Sequence, residues 1–538
     1  MEDFGVLDWI VLGGFLAILA GIVFWVIKQK EEDTRDYFLA GRDVGWFAIG
    51  AAIFSSNIGS EHLVGLAGAG ASTGVVMGHF ELTSWGILLL GWVFVPFYLR
   101  SAVYTMPEFL EKRFSSSARW FLSIFSLISY VLTKVSVTVY AGGVVLNSVL
   151  GIGFWTGAIL VVLITGLYTI LGGLKAVMYT SVVQTPVLVI GSVLITAIGL
   201  SELGGWQEMC NVLGPDRLNM FKPSSHPDFP WTGMVFGVPI VALWYWCTDQ
   251  YIVQRTLAAK NETQARRGTI FAAYLKLLPM FIFIVPGLIA CALHETGKIQ
   301  LPSADQAFPT LVRELLPSGL KGLVVGGLLA ALMSSLSSLF NSCSTLFTVD
   351  FYKKFRPGSS EQHLVFVGRL ATAVVVLLGI AWIPTMQLIS DVLFEYIQKV
   401  QTLIAPSIAA VFLLGIFFRR INNAGAMSGF VFGFLVGMSR LGLDMAKTRL
   451  DPEGILIQFV SINWLHFCVL LFLGCIAIIV IVSLLTTAPD IRRLDGLTYG
   501  CISAEDKRVS RESWSRWDVI HSVAIVAITI AVFVYFSG

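Results

Sequence analysis

The chain has 538 residues, of which 56% are hydrophobic and only 13% charged, and its formal net charge is +2. Soluble domains carry about twice that charged fraction, which excludes the soluble globular class, and so small a net charge points to no nucleic-acid partner. Seven cysteines, at 210, 247, 291, 343, 468, 475 and 501, show no metal-ligand spacing and read as small packing residues.

Uncharged stretches recur at lengths that suit a bilayer, about 20 residues per helical crossing. The first apolar run is followed, not preceded, by Lys28, Lys30 and Arg35, so 6–28 is expected to be a retained leading span instead of a cleaved signal. Ten core spans are predicted at 44–72, 78–100, 118–148, 152–172, 176–200, 231–253, 268–293, 318–349, 364–384 and 388–416. Between the third and fourth, Gly151-Ile152-Gly153-Phe154-Trp155 divides an uncharged run too long for one helix. Three trailing spans fall within 421–538, for 14 in all. Five plus five core spans match an inverted-repeat transporter, whose first helix in each half is interrupted. The expected fold is therefore all-α and membrane-integral, one transporter domain over 1–538 with repeats at 44–200 and 231–416.

Charge placement orients the chain. With the acidic N-terminus outside, alternate loops holding Arg100/Lys112/Arg113/Arg119, Arg255/Lys260/Arg266/Arg267, Lys353/Lys354/Arg356 and Arg419/Arg420 fall inside. The loops at 72–80, 149–153 and 385–388 fall outside and contain no Lys or Arg. That sorting obeys the positive-inside rule and predicts a multi-pass protein of the plasma (cell inner) membrane. The outside loops 201–230 and 294–317 read as partial covers, and the basic segment 488–517 as an inside linker.

Span 44–72 carries Gly50, Gly59, Gly65, Gly68 and Gly70 and, at its centre, Ser55-Ser56-Asn57-Ile58-Gly59-Ser60-Glu61-His62. Unwound backbone within a membrane is tolerated only where it is packed in protein or lines a cavity. Its free carbonyls then coordinate a bare cation or a polar solute. Glycines alone favour close helix packing; the adjacent Glu61 and His62 reverse the reading to a site, because ionisable groups there are costly. Glu81, Lys134, Asp249, Lys276, Asp391, Glu395 and Lys399 also fall in predicted spans. Glu81 sits near an outer end, where snorkelling is open to it. Lys276 is harder to dismiss, and Asp249 and Lys399 read as structural. In the run from Ala331 to Ser342 the hydroxyls of Ser334, Ser335, Ser337 and Ser338 include pairs three and four apart, which share a helical face; such serines serve a cation or bond back to their own helix. Trp244-Tyr245-Trp246 reads either as an interfacial anchor or as a stacking surface for a sugar ring. No nucleophile–base constellation appears, so an enzyme is not expected.

Taken together, Ser56 to Gly68, Tyr104-Thr105-Met106-Pro107-Glu108-Phe109, Leu243 to Gln254 and Ser334 to Ser344 resemble the sodium/solute symporter family, closest to its sodium/glucose branch with the inositol carriers. The resemblance covers nearly the whole chain. It implies 14 helices on a leucine-transporter-like core and sodium-coupled sugar uptake by alternating access. It implies sugar-hydroxyl ligands at Asn57, His62, Glu81, Lys276 and Gln398, with Tyr245 as the inner-gate aromatic and Trp246 beside it. An apolar outer gate at Leu66, Phe80 and Phe394 follows from it as well. So does a sodium site at the carbonyls of Ser55, Ile58 and Ala331 with the hydroxyls of Ser334 and Ser335. Sodium ion, a small-molecule sugar and membrane lipid are the implied partners; no protein partner is inferable.

Two departures stand out. Ala242 occupies a position where relatives place Thr or Asn near the sugar. Ser181 stands where the family commonly has an Asp associated with a second sodium, and a neutral hydroxyl cannot offset a second cation in low dielectric. One sodium per sugar is therefore expected, for a hexose of glucose/galactose type. A myo-inositol carrier and a non-transporting sodium-dependent sugar sensor are the alternatives. A carboxylate substrate would want an added Arg in the core spans, which have none to offer the pocket.

Overall fold

The computed structural model describes residues 4–29, 33–59, 61–386, 393–447, 450–451 and 453–538; the side chains of 132, 133, 136 and 382–396 lie outside the description. Among the described residues the structure is helical, with no strand beyond one isolated bridge between Val44 and Ala259.

In chain order the helices that matter here are α1 (Val6–Ile27), α2 (Trp46–Asn57), α3 (Ala67–Thr73), α4 (Ser136–Leu150), α5 (Phe154–Leu203), α6 (Trp231–Cys247), α7 (Gln250–Leu257), α8 (Glu262–Leu275), α9 (Val285–Glu295), α10 (Leu320–Thr345), α11 (Glu361–Met386), α12 (Leu393–Phe417), α13 (Asn423–Met445), α14 (Trp464–Leu485) and α15 (Arg516–Tyr535). Ten helical stretches among the described residues are long and apolar enough to cross a membrane, or eleven when α6 and α7, bent 44° against each other, count as one. The sequence predicts 14. The difference has physical causes: double-length helices run two predicted spans together, and broken ones divide a span into short pieces. Thus α5 has 50 residues, about 75 Å at 1.5 Å per residue, against a hydrocarbon core of about 30 Å. It breaks at Gly173, whose φ of 49° and ψ of −150° suit a residue with no Cβ. Predicted spans 152–172 and 176–200 meet at that break.

Helix α2 is too short to cross alone. Every residue from Ala48 to Asn57 is buried, as expected of a helix apolar nearly all round. It stops at Ile58, whose backbone is extended (φ −83°, ψ 104°), and helix resumes as a π turn from Glu61 to Leu66 leading into α3. The predicted interruption of span 44–72 is present. Span 231–253 is interrupted too, at Thr248–Asp249 between α6 and α7.

These broken helices sit inside the bundle. Helix α2 packs on α8 and α5, and α5 packs along α10. Helix α3 lies backbone to backbone on α9: a Cβ at Gly287 would strike the Ala67 carbonyl oxygen, and one at Gly70 the Ile284 carbonyl oxygen. Small residues permit that approach, which carries the unwound segment into the centre of the bundle. Helices α1 and α15 lie at the rim, with Val6, Ile10, Phe24, Val523 and Val534 exposed for lipid. The basic segment 488–517 contains one short polar α-helix, Ala504–Glu512.

Candidate functional site

A cavity of about 710 Å³, counting its open mouth, lies between the break after α2 and helices α6, α8 and α12. All seven predicted solute ligands line it: Asn57, His62, Glu81, Tyr245, Trp246, Lys276 and Gln398.

The polar wall is an ion-paired network. Lys276 Nζ donates to Glu81 Oε2 at 2.5 Å and to Asn57 Oδ1 at 2.8 Å. Asn57 Nδ2 donates to the Tyr245 hydroxyl at 3.0 Å, and His62 Nε2 stands 3.6 Å from Glu81 Oε1. The Gly59 N–H points to His62 Nδ1 at 3.4 Å, which orients the ring. Glu81 and Lys276 side chains are only 2% and 3% exposed, and buried charges persist when they are paired and hydrogen-bonded. Glu81 therefore does not snorkel outward. Helix 78–81 ends at Leu82 (φ −79°, ψ 35°), which turns the carboxylate inward to Lys276. Lys276 follows the last residue of α8 and caps it, so both charges sit at helix breaks where backbone and side chain can face the same cavity.

An aromatic floor completes the wall. The Tyr245 and Trp246 rings meet edge to face at 4.9 Å, Trp246 Nε1 donates to Thr83 Oγ1 at 3.0 Å, and Lys276 Nζ lies 5.5 Å from the Trp246 ring centroid. Gln398 is buried, and its Oε1 has no partner among the described residues. Ala242 lies at the wall and offers no side-chain hydrogen bond. Of the gate residues, Phe80 lines the cavity and stacks on Trp464 of α14 at 6.1 Å. Leu66 is fully buried in the π turn and is not among the lining residues. The side chain of Phe394 lies outside the described residues.

Beside the cavity, α10 meets the unwound segment. Ser335 Oγ stands 3.2 Å from the Ser56 carbonyl oxygen and 3.2 Å from that of Ile58. Mid-helix serines usually bond back to the residue four earlier, here Ala331; Ser335 reaches across to another helix instead. Ser334 Oγ is buried with no partner, a condition that costs about 1–3 kcal/mol and that a ligand would relieve. Ser56 and Ser338 hydroxyls meet at 2.7 Å. Uncharged oxygens converging on an unwound helix fit a bare monovalent cation. Ile58 and Ser335 are thus brought together, and Ser334 precedes Ser335 on α10. Ala331 is buried one turn earlier on α10, and the Ser55 hydroxyl turns back to the Ala52 carbonyl at 3.4 Å. Ser181 is fully buried and donates to the Val177 carbonyl at 2.7 Å, within its own helix.

Sequence reasoning left Thr83, Tyr251 and Lys134 without a role at this site, yet all three line the cavity. Only Lys134 gave a signal, as a charge within a predicted span. The other two are ordinary residue types whose partners are fixed by the fold.

A bundle of membrane-length helices around an ion-paired polar cavity, next to a helix unwound midway along its span, defines a membrane solute transporter. A model of the sodium:solute symporter family matches residues 37–433, and the chain belongs to that family. Sodium/glucose cotransporter 1 of Oryctolagus cuniculus is 39% identical over 545 residues, covering 93% of this chain and 82% of the relative. Sodium/myo-inositol cotransporter 2 of the same animal is 38% identical over 523 residues, covering 90% and 77%. A solved Na+-coupled sialic acid symporter, substrate-bound and outward-open, shares the fold, with a TM-score of 0.78 at 22% identity over 91% of this chain and 100% of that one. These relatives are transporters, not enzymes, and the two cotransporters are named for sodium with glucose and with myo-inositol.

Proposed function

We propose that the protein is a sodium-coupled symporter that takes up a hexose of glucose/galactose type by alternating access, one sodium per sugar. The observation that carries this is the joining of the two sites by one stretch of chain. Ile58 lies among the cation oxygens, while Asn57 and His62 face the cavity with Glu81, Lys276 and Gln398. Sugar hydroxyls both donate and accept, which suits a wall that mixes a carboxylate, an ammonium, amides and an imidazole, and the Tyr245–Trp246 floor suits the C–H face of a ring.

In this reading sodium binds first between the unwound segment and α10, at Ile58, Ser334 and Ser335 with the carbonyls of Ser55 and Ala331. That ties α10 to the break, favours the outward-open state and completes the sugar pocket. Sugar then draws the apolar gate of Leu66, Phe80 and Phe394 closed, the core rocks, and sodium leaves inward. The architecture behind it is fourteen crossings, with repeats at 44–200 and 231–416 on a leucine-transporter-like core. The breaks at Ile58 and at Thr248–Asp249, each in the first helix of its half, support it. The N-terminus faces outside in the plasma membrane, as the basic loops require. One sodium per sugar is favoured because the Ser181 hydroxyl is satisfied by its own helix and its neighbour Gln184 is equally neutral.

Myo-inositol is the second reading, favoured by the inositol carrier among the relatives and by the likeness of its hydroxyls to those of a hexose. Sodium-driven uptake of labelled glucose into proteoliposomes, competed by glucose, galactose, mannose and myo-inositol, tests both. Competition by the first two and weaker competition by inositol is expected; inositol competing best reverses the assignment. Sugar-evoked current without accumulation would indicate a sensor.

A further inference from the structure

Lys134 is the cation of the cavity that solute recognition leaves unused. Its Nζ pairs with Asp249 Oδ2 at 2.8 Å, and the two side chains are 14% and 2% exposed. Four aromatic rings surround it, with centroids at 4.5 Å (Tyr251), 4.6 Å (Tyr245), 5.4 Å (Tyr130) and 5.6 Å (Trp244). The other Asp249 oxygen accepts from the Tyr130 hydroxyl and from the Tyr251 N–H at 3.3 Å, so Asp249 caps α7 just after its bend from α6. The Tyr251 hydroxyl donates to the Ser56 carbonyl, the oxygen that Ser335 also reaches. One chain of contacts therefore runs from the cation oxygens through Tyr251 and the α7 cap to Lys134, and on through the Tyr245 ring to Asn57 and the sugar wall.

We infer that Lys134 and Asp249 form a latch beneath the pocket, and that Tyr251 reports cation occupancy to it. The inference rests on the reading of the protein as a sodium-coupled symporter with the α7 end inside. Sodium held at Ile58 and Ser335 fixes the Ser56 carbonyl, which fixes Tyr251, which keeps the α6–α7 bend and the Lys134 cage intact. When sodium leaves, Tyr251 is released, α7 swings at Thr248–Asp249, and the Tyr245 floor moves with Lys134 out of its rings. In this role they act as positioning residues: Lys134 and Tyr251 reach the cavity wall, and with Asp249 they make opening of the floor conditional on cation release.

The test uses full-length protein in proteoliposomes, with wild-type sodium-driven uptake measured first; its absence would defeat the symport reading and not the latch. In Lys134→Gln and Asp249→Asn, sodium flux without sugar is expected to rise about tenfold and the sugar accumulation ratio to fall about tenfold. The double variant should be no worse than either single one, since a pair is lost only once. Lys134→Arg, which keeps a cation in the cage, should restore coupling, and Tyr251→Phe should raise the half-saturating sodium concentration about three- to tenfold while sparing that for sugar. A merely structural pair would lower protein yield and leave the sodium/sugar flux ratio at the wild-type value. That ratio unchanged in Asp249→Asn, or sodium and sugar constants shifted equally in Tyr251→Phe, overturns the latch.

Discussion

His62 stands against Glu81 with its other ring nitrogen held by the Gly59 amide, so its free edge is aimed by its own turn of chain. Removing a hydrogen bond to a charged or strongly polar group costs about 1.5–3 kcal/mol, and about 1.4 kcal/mol is tenfold in affinity. His62→Ala is expected to raise the half-saturating sugar concentration roughly ten- to hundredfold with near-normal membrane expression; unchanged uptake would make His62 a packing residue. Glu81→Gln has a different signature, because it leaves Lys276 buried without its carboxylate. Breaking a buried pair from one side costs about 3–5 kcal/mol, so this variant should lose thermal stability as well as sugar binding. Ser335→Ala should raise the half-saturating sodium concentration about tenfold, and an unaltered sodium titration counts against the cation assignment. At this scale the ionisable residues within spans were readable from the sequence, since an unpaired charge there is too costly to be accidental. Their pairing was not: Glu81 looked free to snorkel until the helix break at Leu82 turned it to Lys276. Thr83 and Tyr251 were invisible, because a threonine and a tyrosine acquire roles only through the partners that folding brings.

The elements are legible where composition leaves the backbone little choice. Glycines around a polar centre marked the break after α2, and Ile58 is where the helix stops. Gly151 and Gly153 separated α4 from α5 as expected. The count of crossings was less direct, because helical hydrogen bonding runs on through the turn at Gly173 and a π turn covers 130–135 around Lys134. Hydropathy measures apolar length and is blind to both. The contact of α3 with α9 makes a prediction of its own. In Gly287→Ala the new methyl group must displace the Ala67 carbonyl, and overpacking of this kind costs about 1–3 kcal/mol. The expected result is a lower Tm in detergent with the sodium/sugar flux ratio unchanged in the protein that remains folded. Wild-type thermal stability would show that the two helices separate freely.

Over the whole molecule, residues of both broken helices line the cavity, and the coupling we propose rests on one stretch of chain, at Asn57, Ile58 and His62, serving both cation and solute. One positive charge moving across about 100 mV releases about 2.3 kcal/mol. A tenfold sodium gradient adds about 1.4 kcal/mol, so one sodium sustains a sugar gradient of roughly several hundredfold. A second sodium would square that ratio, and Ser181 is the residue that argues for one. Paired fluxes of labelled sodium and labelled sugar should stand at one to one; two to one would mean that the neutral cluster at Ser181 and Gln184 holds a cation after all. The most direct measurement for the account as a whole is accumulation of labelled glucose by proteoliposomes under an inward sodium gradient, set beside the same vesicles under an equal potassium gradient. The account predicts uphill accumulation with sodium that collapses when the gradient is dissipated and is absent with potassium. Equal uptake under both gradients, or none under either in protein shown to be folded, would contradict it.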